Sequence, residues 1–209
     1  MERINDKELH ELNNRFKHAK PEEIISWAIR AAKSPVVTTN FRPYEAAIIY
    51  ACNSVKAGIS VIWCDTGYNT PQTYKHARTL IDALKLNISL YTPVETAAYR
   101  DAINGGIPSV DSSFHAEFTR QVKLEPFQRA MREHLPDVWF TNLRKGQTAF
   151  RDSIDILSYS KDGILKVSPF YHYSDKELDV YLKDNDLPNE FKYFDPTKVL
   201  DNRECGLHA

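Results

Sequence analysis

The sequence predicts an α/β fold: a doubly wound parallel sheet covered by helices on both faces. Three observations lead there. Short β-branched or apolar runs alternate with longer stretches of helical periodicity, the pattern of successive βαβ units. Several predicted helices open on proline, as at Pro21, Pro43 and Pro71, where the missing N–H costs nothing. The strand runs, such as "VIWC" and "VWF", are continuously apolar rather than alternating, as strands buried on both faces require.

In chain order, the N-terminal "MERINDKELHELNNRF" is charged and amphipathic. "KPEEIISWAIRAAKS" follows with apolar residues at 24, 25, 28, 31 and 32, a helical spacing. "PVVTTNFRPYEAAIIYACNSVKAG" reads as strand, polar turn and a helix opening at Pro43. "ISVIWCDTGYNTPQTYKHARTLIDALKL" repeats that scheme with a turn after Asp65 and a helix from about Pro71. "NISLYTPVETAAYRDAI" supplies a third strand and helix. "INGGIPSVDSS" is a Gly-, Pro- and Ser-rich loop able to move. "VWFTNL" reads as a further central strand, and "DILSYSKDGILKVSPF" as two short strands about Asp162-Gly163. "SDKELDVYLKDNDLP" carries Ser174 and, three residues on, Glu177, a capping-box helix start. "NEFKYFDPTKVLDNRECGLHA" is weakly periodic and reads as a docking tail. No internal repeat or low-complexity segment interrupts the chain.

Composition narrows the functional classes. The 209 residues suit one ordinary domain, 42% apolar and 26% charged, the balance of a soluble globular protein. The 27 Lys and Arg nearly cancel 28 Asp and Glu, so overall charge gives no argument for nucleic-acid binding. No apolar run approaches the ~20 residues of a membrane helix, and the N-terminus carries no apolar signal stretch. Three cysteines without a CxxC pair suggest neither a disulfide framework nor an iron–sulfur or zinc site. A cytoplasmic location is expected, with any cysteine chemistry resting on a free thiol.

Four sets of residues, one of them drawn from two stretches, could carry chemistry. "VVTTNFRP" brings the hydroxyls of Thr38 and Thr39, the amide of Asn40 and the guanidinium of Arg42 to a strand end that runs into a helix N-terminus. Backbone N–H groups and the helix dipole favour an anion there, at the sheet edge where α/β proteins bind ligands. The same stretch can equally be a capped turn with Arg42 in solvent. "CDTGYNTPQT" ends the next strand; Asp65, Thr66 and Gly67 either contact a ligand or cap their own turn. "VKLEPFQRAM" and "NLRKGQTAFRDS" supply Lys123, Arg129, Arg144, Lys145 and Arg151, cations suited to phosphate or sulfate oxygens or simply solvated.

The fourth set lies in "RECGLH" at the C-terminus. Cys52 and Cys64 sit in apolar segments and read as inert core residues. Cys205 lies in a polar segment with Arg203 and His208 nearby. Those cations favour the thiolate, while Glu204 opposes it. Either the tail is solvated with an incidental cysteine, or it is an arm that carries a nucleophile.

Taken in order, "TTNFR", "DTGYNTPQTY", "KLEP", "WFTNLRKGQTAFR" and "RECGLH" resemble the phosphoadenylyl-sulfate (PAPS) reductases of sulfate assimilation, from about Ile24 to His208. These are relatives of the PP-loop ATP pyrophosphatases, with the adenine nucleotide alpha hydrolase-like fold. The resemblance implies a nucleotide-binding α/β domain over residues 1–192 and a flexible catalytic tail over 193–209. It implies Cys205 as the nucleophile toward the sulfate sulfur, with His208 touching the phosphosulfate or assisting the thiolate. Thr38, Thr39 and Asn40 would meet the phosphosulfate, and Asp65, Thr66 and Gly67 the nucleotide. Lys123, Arg144 and Arg151 would hold its anionic groups. The implied products are sulfite and adenosine 3′,5′-bisphosphate, by way of a cysteine S-sulfonate. Thioredoxin or glutaredoxin would be the electron donor, a homodimer the assembly, and no cofactor or metal would be needed.

The chain departs from related patterns at three places. Where iron–sulfur adenylyl-sulfate (APS) reductases carry cysteine pairs, this sequence reads "EFTRQVKLEP" and "FDPTKVLDN", so PAPS is the expected substrate and no cluster is expected. The stretch from Tyr193 to Cys205 is short. Arg42 stands where relatives often have glycine, either an added phosphate contact or a mark of altered substrate. Two alternatives compete: an ATP-dependent PP-loop enzyme, whose Gly-Gly and Asp-Ser loop residues are missing from "TTNFRPYEA", and a nucleotide-binding module without chemistry.

Overall fold

The computed structural model describes residues 3–198. Six strands form one sheet in the order β3-β2-β1-β4-β6-β5. These are β1 (Pro35–Thr39), β2 (Ser60–Cys64), β3 (Asn87–Tyr91), β4 (Val138–Phe140), β5 (Leu157–Tyr159) and β6 (Leu165–Val167). All neighbours run parallel except β5 and β6, the hairpin about Asp162-Gly163. The chain steps outward from β1 through β2 to β3, then returns to β4 on the other side of β1. Strand order therefore reverses between β1 and β4. In open α/β sheets the ligand crevice lies at the carboxyl ends of such a pair.

Period-two alternation sorts the strand side chains into two cores. Val37, Val61 and Phe140 point into the larger one with helices α1 (Asp6–Phe16), α2 (Pro21–Ala31), α3 (Glu45–Val55), α4 (Pro71–Leu84) and α9 (Asp175–Asp184). Val36, Ile62, Cys64 and Trp139 point the other way, beneath Phe127, Ala130 and Met131 of α7 (Glu125–His134). Helix α3 is buried nearly all round, which explains why "AAIIYAC" lacks a polar face. Both faces are covered, as the apolar strand runs predict.

Local chemistry fixes the element ends. Thr70 caps α4 by accepting the Thr73 N–H, with Pro71 opening the helix. Ser174 and Glu177 form the expected capping box on α9. At the hairpin edge, Asn13 of α1 exchanges two hydrogen bonds with Leu157, accepting its N–H at 2.8 Å and donating to its carbonyl at 3.0 Å. That side chain satisfies backbone an edge strand would otherwise leave open.

Two features differ from the sequence expectation. Helix α3 begins at Glu45 rather than Pro43, because Tyr44 adopts a left-handed φ of 68° and keeps the turn open two residues longer. A helical stretch not anticipated from the sequence covers residues 115–134: α6 (His115–Thr119), a π-helical turn (Arg120–Leu124) and α7. The remaining short helices are α5 (Ala97–Asn104) and α8 (Ala149–Asp152). No described helix is long and apolar enough to cross a membrane.

Candidate active site

A cleft enclosing about 710 Å³, counting its open mouth, lies at the carboxyl ends of β1, β2 and β4. Thr38, Thr39, Asn40, Arg42, Lys123 and Arg151 all line it. Residues from three separate stretches of sequence thus converge on the crevice that the strand order creates.

The β1–α3 loop is held by one side chain that the sequence reading did not single out. Glu45, 5% exposed at the first position of α3, turns its carboxylate back into the loop. One oxygen accepts the Thr39 hydroxyl at 2.9 Å and the Asn40 N–H at 2.7 Å. The other accepts the Arg42 Nε–H at 2.8 Å. The Phe41 N–H donates in turn to the Thr39 hydroxyl oxygen. Phe41 has a left-handed φ of 53°, a strained choice for a bulky residue. Its buried ring packs edge-on against Trp63, centroids 4.9 Å apart, which holds the backbone there.

Arg42 therefore does not project into solvent. Its Nη2 donates to the Asn142 carbonyl at 3.3 Å, bridging the loops after β1 and β4 across the crevice. Thr38 is fixed from the opposite face, where the Trp139 Nε1–H donates to its hydroxyl oxygen at 2.9 Å. Occupying an acceptor site in this way leaves the Thr38 proton available to a ligand oxygen.

Lys123 reaches the cleft from the π-helical turn, a local widening often found at functional sites. Its ammonium is ion-paired with Asp195 and lies 3.4 Å from the Thr197 hydroxyl. Burial pushes the Asp195 carboxyl up, but the Lys123 charge and hydrogen bonds from Lys123 and Thr197 outweigh it, so the net shift is downward. Arg151 is buried on α8, with its Nη1 on the Gln147 amide oxygen.

Asp65, Thr66, Gly67 and Arg144 lie outside the cleft lining among the described residues. Asp65 accepts the Gly67 N–H at 2.9 Å, the Asn69 amide at 2.8 Å and the Tyr74 hydroxyl at 3.0 Å. Asp65, Thr66 and Gly67 thus form a closed turn beside the cleft and are not among the described residues that line it. Gly67, at φ +81°, takes a conformation that a side chain would strain. Arg144 points toward the start of α9, where its Nη1 meets Asp175 at 2.6 Å and its guanidinium covers the Tyr44 ring. It contacts the loop's far side and does not line the cleft among the described residues.

Cys64 also lines the cleft. Burial pushes its thiol up to about 12, against the smaller opposing pull of Lys123 and Arg129. Cys52 is raised well above its usual value by burial alone. Neither is a ready thiolate near neutral pH. Cys205 and His208 lie outside the described residues.

After α9 the chain forms a strap across the carboxyl edge of the sheet. The Tyr44 N–H donates to the Asn189 side chain at 2.9 Å, and the Thr70 hydroxyl to the Lys192 carbonyl at 2.6 Å. Phe191 packs against Tyr44, and the Lys123–Asp195 pair with buried Thr197 completes the docking. Tyr193, Asp195 and Lys198 form one wall of the cleft. The expected boundary between residues 192 and 193 falls inside this docked strap. Glu45 and Asp195 were the missed residues. The Arg-x-x-Glu spacing at a loop–helix junction was the available signal for the first; nothing in sequence links Asp195 to Lys123.

Comparison with known proteins places this geometry in context. The sequence model of the phosphoadenosine phosphosulfate reductase domain matches residues 34–194. The chain is 31% identical over 182 residues to a phosphoadenosine 5′-phosphosulfate reductase of Xylella fastidiosa (strain 9a5c), covering 87% of this chain and 76% of that one. Its fold is similar to a phosphate complex of PAPS reductase from Candida auris, with a TM-score of 0.77 at 24% identity and 89% coverage of each chain. A similar fold occurs in NH3-dependent NAD synthetase from Campylobacter jejuni, with a TM-score of 0.55 at 12% identity, covering 88% of this chain and 76% of that one.

Proposed function

The chain belongs to the phosphoadenosine phosphosulfate reductase domain family, and from that membership we propose that it reduces PAPS to sulfite and adenosine 3′,5′-bisphosphate. The observation that carries the proposal is the strap. It runs along the ligand edge of the sheet and brings Lys198 to the cleft wall. Cys205 stands seven positions beyond Lys198, a tether that extends to about 25 Å at most. A thiol on that tether has the reach to enter the cleft and to leave it again.

In this reading the phosphosulfate lies over the β1–α3 loop, against Thr38, Asn40 and Arg42, with Lys123 and Arg151 balancing its charge. The Cys205 thiolate attacks the sulfo sulfur. An S–S bond forms, the bond from sulfur to the 5′-phosphate oxygen breaks, and the nucleotide departs with that electron pair. Cations fixed at the leaving phosphate stabilise the charge as it develops. His208 contacts the phosphosulfate or assists the thiolate.

The Cys205 S-sulfonate is then attacked at Cys205 Sγ by a thiolate of thioredoxin or glutaredoxin. Sulfite leaves with the electron pair of the broken S–S bond. A second thiol of the reductant resolves the mixed disulfide, restoring Cys205 and oxidising the reductant to its disulfide. Two different partners for one sulfur favour a tethered arm over a rigid site. The high thiol pKa values of Cys52 and Cys64 support assigning this chemistry to Cys205. Three cysteines in the whole sequence fall short of the four thiolates of a typical iron–sulfur cluster, which favours PAPS chemistry without a cofactor. A homodimer in a reducing cytoplasm completes the reading.

The test is sulfite release from PAPS with reduced thioredoxin or glutaredoxin. The wild-type chain is expected to turn over PAPS in preference to APS, and Cys205→Ser to release no sulfite while binding adenosine 3′,5′-bisphosphate normally. Normal turnover by that variant refutes the assignment.

A further inference from the structure

We infer that Glu45 is a positioning residue that fills part of the anion loop from within and aims Arg42 across the crevice at the substrate's phosphosulfate. The inference rests on the reading above and deepens it at the same site.

Much of the loop's donor capacity is already used within the chain. A loop between a strand and a helix N-terminus binds anions through its N–H and hydroxyl groups. Here the Thr39 hydroxyl and the Asn40 N–H are already taken by a carboxylate of the same chain. Glu45 is nearly buried and sits where the α3 dipole favours negative charge. A ligand that used those two donors would have to evict it and leave a charge without its partners. Among the described residues, the loop donors that Glu45 does not occupy are the Thr38 hydroxyl, whose oxygen accepts from Trp139, the Asn40 side-chain amide, and the Nη groups of Arg42, one of them on the Asn142 carbonyl.

Glu45 divides its two oxygens between two tasks. One locks the loop, and the other holds Arg42 Nε at 2.8 Å. With Nε fixed there and Nη2 on the Asn142 carbonyl at 3.3 Å, the guanidinium plane is set by two anchors on opposite sides of the switch point. A planar fork held this way is pre-organised for phosphate or sulfate oxygens, and less freedom is lost on binding. This also accounts for arginine at position 42. The residue closes the crevice floor between β1 and β4 and adds a charge to it, and Glu45 keeps that charge from swinging into solvent. Asp195 plays no part in this arrangement; its partner is Lys123 on the opposite wall.

Glutamine cannot replace Glu45 in this role. A carboxylate presents acceptors to both sides, whereas an amide presents one acceptor and one donor. In Glu45→Gln either the loop or Arg42 faces an N–H instead of an oxygen.

Calorimetric binding of adenosine 3′,5′-bisphosphate, with PAPS turnover measured in parallel, tests the inference by a double-mutant cycle. Glu45→Gln is expected to weaken nucleotide binding and raise KM about tenfold, with kcat within about threefold, the signature of lost uniform binding. Glu45→Asp, which retains both oxygens, should recover most of the loss. In an Arg42→Gly background, Glu45→Gln should weaken binding by less than twofold more. Arg42→Lys, which cannot serve both anchors, covers the case that Glu45→Gln fails to fold, and should weaken binding about tenfold as well. Unchanged binding in Glu45→Gln, or the full tenfold loss repeated in the Arg42→Gly background, overturns the inference. With Arg42→Lys as the fallback, unchanged binding does the same. A wild-type chain that binds the nucleotide but releases no sulfite sinks the reductase reading and leaves the cycle to decide the positioning role. A wild-type chain that binds no nucleotide overturns both.

Discussion

Lys123 and Asp195 are ion-paired with side chains only 4% and 8% exposed, tying the π-helical turn to the strap across 72 positions of sequence. The lysine proposed to hold substrate charge is thereby paired with a residue of the segment that leads to the C-terminal cysteine. In the proposed reading, substrate charge and strap position would be linked through that one ammonium group.

Asp195→Ala should therefore leave a buried ammonium without its counter-ion. Breaking such a pair from one side typically costs about 3–5 kcal/mol, so thermal denaturation should show a clear drop in midpoint. Inorganic phosphate or adenosine 3′,5′-bisphosphate should restore part of it by supplying an anion to Lys123. The pH dependence has a definite sign. The Asp195 carboxyl is held below its ordinary value of 3.8. Its stabilisation is present above that value and is lost as pH falls through the lower folded-state value. The gap between wild type and Asp195→Asn should thus be full near neutrality and shrink below about pH 4. A constant gap down to pH 2 would remove Asp195 from this role.

Trp139→Phe keeps the ring packing against Phe127 and deletes the N–H that fixes Thr38. One hydrogen bond contributes about 0.5–1.5 kcal/mol. Nucleotide affinity should fall about twofold to tenfold in a titration. Unaltered affinity would mean that Thr38 needs no fixing.

Thiol labelling separates the cysteines. Burial holds Cys64 at about 12 and Cys52 well above its ordinary value, so both stay protonated and shielded at pH 8. Alkylation of the folded chain should modify Cys205 alone, with Cys52 and Cys64 following only in denaturant. Rapid native labelling of Cys64 would reopen the question of which sulfur is the nucleophile.

The sequence displayed the sheet because its strands are short apolar runs and its helices begin at Pro21, Pro71 and the Ser174–Glu177 capping box. It hid residues 115–134 because "HAEFTRQVKLEPFQRAMREH" is rich in charge and carries Pro126 within it, a residue that ordinarily ends a helix. That proline is accommodated at the start of α7. The start of α3 was displaced by the left-handed Tyr44, a backbone choice that side-chain periodicity does not encode. Thr38, Thr39, Asn40 and Arg42 were legible as residues of one polar cleft rim because hydroxyl, amide and guanidinium groups follow a strand directly. Glu45 was not, since an acidic first-turn residue ordinarily reads as a complement to the helix dipole. Asp195 and Lys123 meet through tertiary structure alone.

Mass measurement of the protein after incubation with PAPS and no reductant tests the central claim most directly. The account predicts a single added sulfo group on the C-terminal peptide that contains Cys205, released as sulfite when thioredoxin or glutaredoxin is added. An unmodified C-terminal peptide under conditions where the nucleotide binds, or an adduct on Cys64, would contradict it.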